Sequence, residues 1–434
     1  MSRIAFFADI MGTLFERRPG NAAAPSRAPM AALCEGLLSA QGEVSGMRLA
    51  RDILQRYRTM SMEEKRGFFE HLAEALDVDS ARVIAAAERY AAKRDAATYG
   101  ELSREAEPPR QELLRRLNQA PGGTEELVQM RLDLLQMEPS PALQRIDLDF
   151  AHLFGSWFNR GFLVLRHIDW RTPANILEKI IEYEAVHAIN DWDDLQRRLR
   201  PSDRRCFAFF HPAMPEEPLI FVEVALCKGI PGSVQRLLAE GRDPVPDAEI
   251  DTAVFYSISN CQEGLRGISF GNSLIKQVVD ELRRDLPQVK TFVTLSPVPG
   301  LSRHLKAIAK DRPEAAALLD AAAKGDPEAL GPHLPALKSL TAEFLLTAKR
   351  PDGMPADPVA RFHLGNGALL HDVHALADIS PNGLRQSCSA MVNYLYDLAK
   401  VERNNENFVT GKAVAAAKSV QALLPQGIST GRKP

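Results

Sequence analysis

The chain has no Cys-x-x-Cys pair, no long apolar run and no excess of charge of one sign. Its five cysteines, Cys34, Cys206, Cys227, Cys261 and Cys388, are scattered. That excludes a zinc ribbon or a thioredoxin-type pair and suits reduced thiols in a cytoplasm. With 53 Lys and Arg against 56 Asp and Glu, the formal net charge is −3, so the basic footprint of a nucleic-acid binder is missing. Without a bilayer-length apolar stretch a membrane span is not expected. The N-terminus, Met1-Ser-Arg-Ile-Ala-Phe-Phe-Ala-Asp9, lacks a signal-peptide core. These absences point to a cytoplasmic protein with neither nucleic acid nor membrane as partner. At 434 residues it is too long for one ordinary core, so two domains are expected.

Residues 29 to about 150 read as helix after helix. Leu127, Met130, Leu134 and Met137 recur at helical spacing. Ser61-Met-Glu-Glu64 has the pattern of a capping box, and Gly122-Gly-Thr124 before Glu125-Glu126 is a helix start. From about 151 to 434 strands and helices alternate, which indicates a mixed α/β domain. Strands are predicted at 161–166, 205–210, 219–225, 253–259, 291–295 and 368–373. Helices are predicted at 173–189 with Thr172 as N-cap, at 273–282, at 358–364, at 389–400 and from about 414. The Ala/Leu-rich stretch 301–350 reads as a helical insertion.

The chemistry sits in three places. The first is Gly264-Leu-Arg-Gly-Ile-Ser-Phe-Gly-Asn272, between a predicted strand and a predicted helix. A glycine turn there leaves backbone N–H groups unpaired, and the helix N-terminus adds partial positive charge, an arrangement that binds phosphate. It is neither a Walker A loop nor a Gly-x-Gly-x-x-Gly fingerprint; it is similar to the pyrophosphate loop of GNAT-type acetyltransferases, which bind coenzyme A. The second is Leu295-Ser296-Pro-Val-Pro-Gly300, where two prolines stop sheet pairing and let neighbouring strands splay around a ligand. The third is Asp357-Pro-Val-Ala-Arg-Phe-His363-Leu-Gly-Asn-Gly367, similar to a later acetyltransferase motif with His363 in place of a tyrosine. A histidine titrates near neutrality and suits general acid work there. Two other patterns are set aside. Asp9-Ile-Met-Gly-Thr13 resembles a haloacid-dehalogenase phosphatase start, but Met11 replaces the second Asp. His371 and His374 on a strand would face opposite sides, so no metal site is expected.

Taken in order, these blocks resemble the malonyl-CoA decarboxylases. The likeness is carried by Tyr183-Glu-Ala-Val-His-Ala-Ile189, His211-Pro-x-Met-Pro215, Pro218 to Leu226, Phe255 to Ser259, the glycine run, Leu295 to Gly300, Phe362 to Ala368, and Ser387-Cys388 with Asn393-Tyr394. The resemblance implies an N-terminal all-helical domain (1–150) that supports assembly, commonly as tetramers. It implies a catalytic domain of acetyltransferase fold (151–434). It implies conversion of malonyl-CoA to acetyl-CoA and carbon dioxide without metal, biotin or other cofactor, CoA being part of the substrate, within fatty acid metabolism. Ser296 and His363 match the family's catalytic pair. Arg266, Gly267, Ile268, Ser269, Phe270, Gly271 and Asn272 match its CoA-binding loop. Some members carry Glu at the position of Ser269, so a carboxylate that would orient the pair is missing here. In this reading His363 protonates the thioester enolate and Ser296 hydrogen-bonds the substrate carboxylate and His363. The alternative is a CoA-dependent acyltransferase of the same fold, distinguished by an amine acceptor and by free CoA thiol as product.

Overall fold

The computed structural model describes residues 28–40, 42–270 and 274–425. Asp9 to Thr13, Gly271 and Asn272 lie outside the described residues. Two compact units divide at Ser156/Trp157, and residues 264–268 group with the first.

The first unit is built from helices running from Met30–Ser39 to Pro141–Trp157. The last of these runs through residue 150. The start signals work as the sequence suggests. Ser61 accepts from Glu64 N–H while Glu64 accepts from Ser61 N–H, closing the capping box. Gly122, at φ +75°, precedes the helix Gly123–Gln136. Leu54, Phe69, Leu117, Leu127, Met130 and Phe154 form its buried interior. Asp133 is also buried, and it is satisfied by Lys65 at 2.7 Å and Tyr57 at 3.1 Å.

The second unit carries an eight-stranded mixed sheet. Its strands are β1 (Val164–Ile168), β2 (Arg204–His211), β3 (Met214–Cys227), β4 (Thr252–Asn260), β5 (Thr291–Thr294), β6 (Ser296–Pro297), β7 (Leu369–His374) and β8 (Met391–Leu395). Neighbouring strands from β1 to β4 are antiparallel, β4 and β5 are parallel, and β8 pairs antiparallel with β5, β6 and β7. Apolar side chains cover both faces. Ile176, Ile180, Leu195 and Phe221 belong to one apolar cluster and Val254, Val293, Leu295 and Met391 to another. A sheet buried on both faces reads as near-continuous apolar runs, as in Leu219 to Leu226, which only the buried Glu223 interrupts. The mixed sheet preceded by a helical region is the expected class.

Four expectations need correction. Residues 160–162 form a 3₁₀ turn capped by Asn159, and β1 starts only at Val164. The helix expected over 173–189 ends at Tyr183, because the Glu184 carboxylate folds back to accept from Val186 and His187 N–H. Thr172 does not cap it; its hydroxyl accepts from Asp169 N–H, and Pro173 stands at the N-cap. Residues 389–400 are not a helix. The helix there is Pro381–Ser387, it stops at Cys388 and Ser389 with φ of +50° and +73°, and β8 follows. The closing helices are Val401–Gly411 and Lys418–Gln421.

Candidate active site

Ser296 and His363, 67 residues apart in sequence, meet in the second unit with Oγ and Nε2 3.1 Å apart. Ser296 reaches this place because the sheet divides. β5 stays paired with β4 from Thr252/Thr291 to Phe255/Thr294. After Leu295, whose N–H still donates to the Phe255 carbonyl, the chain changes partner: Ser296 pairs with Val392 and Pro297 with Met391 of β8. β4 runs on to Asn260 without β5 beside it. This is the splay expected of the Ser-Pro-Val-Pro segment.

His363 lies in the last turn of the helix Pro358–Gly365. Asp357 fixes that helix to the serine segment. One carboxylate oxygen accepts from Ala360 N–H at 2.9 Å as N-cap, and the other accepts from Gly300 N–H at 3.1 Å. The far end is set by Gly367, at φ +83°, where a Cβ would stand 2.1 Å from the Val401 carbonyl oxygen. Burial raises the Asp357 carboxyl above its ordinary range, although Ala360 and Gly300 N–H groups pull the other way.

The hydrogen bonds assign the protons. Thr294 Oγ1 accepts from Tyr394 N–H at 3.3 Å and from the Ser296 hydroxyl at 2.8 Å. With its proton turned to Thr294, Ser296 offers a lone pair to His363, so Nε2 carries hydrogen. Nδ1 then accepts from the Tyr396 hydroxyl at 2.9 Å. The Tyr394 ring stacks on the imidazole at 4.6 Å between centroids. His363 is 3% exposed, and burial pushes its pKa down to about 3. The near-neutral titration expected from the sequence is therefore overturned: the imidazole is neutral at pH 7. An ordinary histidine reaches this state when no charged partner offsets its desolvation.

The partner of Nδ1 is a phenol, not a carboxylate. That phenol, Tyr396, is a neighbour of His363 that the sequence did not offer. Sequence reasoning missed it because residues 389–400 read as a helix. Asp357 was not singled out either, although an Asp before Pro at a helix start is the signature of an N-cap.

The glycine run groups with the first unit through residue 268. Gly264 and Leu265 are buried, and Arg266 and Gly267 are exposed. Gly267 takes φ +83° with nothing within 4 Å of a Cβ placed on it. Ile268 N–H donates to the Leu265 carbonyl, closing the turn. Ser269 is exposed and Phe270 is half-buried. The helix Leu274–Asp285 follows. His371 and His374 both lie on β7, and among the described residues no group of three or more His, Cys, Asp or Glu side chains is arranged to hold a metal ion.

Comparison with known proteins gives the family. The family model of the malonyl-CoA decarboxylase C-terminal domain matches residues 161–433, and that of the N-terminal domain matches residues 76–158. The chain belongs to the malonyl-CoA decarboxylase family. A malonyl-CoA decarboxylase of Rhodopseudomonas palustris is 52% identical in its crystal structure, covering 91% of this chain and 98% of that one, with a TM-score of 0.85. That of Agrobacterium vitis is 49% identical, covering 91% and 99%, also at 0.85. The mitochondrial malonyl-CoA decarboxylase of Anser anser anser is 34% identical over 72% of this chain and 69% of its own length. The matched C-terminal domain of the malonyl-CoA decarboxylase family contains Ser296, His363 and Tyr396.

Proposed function

We propose that this protein decarboxylates malonyl-CoA to acetyl-CoA and carbon dioxide, with no metal or biotin. The observation that carries the mechanism is the line Tyr396, His363, Ser296, Thr294, each hydrogen-bonded to the next. Loss of carbon dioxide breaks the C2–carboxylate bond. Its electron pair moves into the thioester, giving an enolate, and a proton must then reach C2. The carboxylate has to stand out of the thioester plane for that bond to overlap the π system, which is a demand on positioning. Ser296 meets it by turning its hydroxyl from Thr294 to the substrate carboxylate. His363 then gives the Nε2 proton to C2 while Nδ1 takes the Tyr396 hydroxyl proton, so the imidazole stays neutral with its tautomer exchanged, and the phenolate recovers a proton from solvent as product leaves. A neutral donor suits the basic thioester enolate and spares the site a buried cation. Residues 266–272 take the CoA pyrophosphate on backbone N–H groups. The buried thiols fit a cytoplasmic setting, and the helical unit assembles the chain as a homo-oligomer, a tetramer.

The test is direct. Purified protein with malonyl-CoA, chelator and avidin should yield acetyl-CoA by chromatography, and in deuterated water the product methyl group should carry solvent deuterium. Activity lost to chelator and restored by a metal would overturn the metal-free route. Free CoA thiol without acetyl-CoA would mark an acyl transfer instead.

A further inference from the structure

Arg131 sits on the helix Gly123–Gln136, is 4% exposed, and spends its guanidinium on the glycine run. Its Nη1 donates to the carbonyls of Gly264 at 2.8 Å and Arg266 at 2.9 Å, while Nε donates to Asp147 at 2.8 Å. Residues 264–268 group with Arg131 in the first unit. The approach is tight, since a Cβ on Gly264 would stand 2.1 Å from the Val128 carbonyl oxygen on the same helix as Arg131. Glycine is needed at 264 for this passage. In a trans peptide the N–H points opposite to the C=O. Two carbonyls fixed on one guanidinium nitrogen therefore fix the N–H groups of Leu265 and Gly267 toward the other side of the loop. Gly267 itself is exposed.

We propose that Arg131 is a positioning residue for the substrate, holding the Leu265 and Gly267 N–H groups in the direction of the CoA pyrophosphate. This rests on the reading of residues 266–272 as the pyrophosphate loop. Arginine suits the task because its rigid fork meets two carbonyls and a carboxylate at once, which a lysine ammonium cannot reproduce.

The experiment compares malonyl-CoA with malonyl-pantetheine, which lacks the pyrophosphate. Arg131→Lys should raise KM for malonyl-CoA about tenfold, the scale of one lost charged hydrogen bond. Its kcat should stay nearly unchanged, and kcat/KM for malonyl-pantetheine should not move. Asp147→Asn, which loosens the guanidinium from its other side, should shift KM the same way by less, and it decides the matter if Arg131→Lys does not fold. Equal losses on both substrates, or an unchanged malonyl-CoA KM, would overturn the role of Arg131. Gly267→Asp separates the two readings. If it raises KM while the Arg131 and Asp147 variants do not, only the positioning role falls; if it too has no effect, the pyrophosphate loop lies elsewhere.

Discussion

His363 is a histidine kept where a cation is unwelcome. Its pKa of about 3 lies below the ordinary 6.5 because burial removes solvent and no carboxylate compensates. Two consequences follow in pH. First, if the neutral imidazole is the donor, kcat/KM should be flat between pH 6 and 8; a tenfold fall per pH unit would show that the cation is required instead. Second, above about pH 6.5 neither the folded nor the unfolded chain protonates this group. As pH falls from 6.5 toward 3 the unfolded chain takes up a proton that the folded chain refuses, so stability declines through that window. His363→Asn removes that contribution, and its urea midpoint should fall less than the parent's between pH 7 and pH 5. The same substitution should keep the fold and CoA affinity while lowering turnover by about 10²–10⁴-fold, the usual share of a general acid. Tyr396→Phe is gentler. It leaves Nδ1 without its donor and frees the imidazole to change tautomer, so kcat should fall about tenfold with KM for malonyl-CoA held. An unchanged kcat in Tyr396→Phe would mean that Nδ1 needs no partner.

At the scale of elements, the site depends on how a helix is pinned. Gly367→Ala forces an L side chain into a left-handed φ and against the Val401 carbonyl. Strain of this kind costs about 1–3 kcal/mol, so the thermal midpoint should drop and kcat should fall with it as the His363 helix shifts. A midpoint equal to the parent's would show that the turn can reorganise freely. This helix was legible because Asp357, Pro358 and Gly367 are punctuation that local chemistry explains. The splay at Ser296 was legible for the same reason, since proline cannot pair on both sides. The strand β8 was not. Met391-Val-Asn-Tyr-Leu395 lies between β5 and β6 on one edge and β7 on the other and is buried almost throughout, so it shows no alternation, and a short apolar run carries no period that separates strand from helix. Its start depends on two non-glycine residues at positive φ, Cys388 and Ser389, which no local signal announces. Tyr396 was lost with the strand. Motif and family likeness thus offered the serine and the histidine as candidates, while their hydroxyl neighbours, Thr294 and Tyr396, required the pairing of β5 and β8 to be known.

At the scale of the whole molecule, two helices of the first unit leave large apolar side chains exposed. The helices Ser80–Ala92 and Ala96–Glu105 run side by side and are joined by Arg89 to Glu101 at 2.8 and 3.0 Å and by Arg82 to Glu105 at 2.7 Å. These ion pairs are exposed and contribute little. Of the residues in the two helices, Ala86 alone is buried among the described residues, while Ile84 is 59% and Tyr99 61% exposed. Helices this short gain most of their stability from packing an apolar face, and this pair buries almost none among the described residues. A second copy supplying the missing cover follows from the proposal that the helical unit assembles the chain. Ile84→Glu combined with Tyr99→Glu should therefore convert the protein to a smaller species in sedimentation at micromolar concentration, because a charge left in a buried interface is costly unless paired. Each chain keeps its own Ser296, His363 and Tyr396, so the smaller species should still turn over malonyl-CoA. If the doubly substituted protein sediments as the parent does, the copies meet through another surface, and the exposed face of this helix pair is free in the assembly.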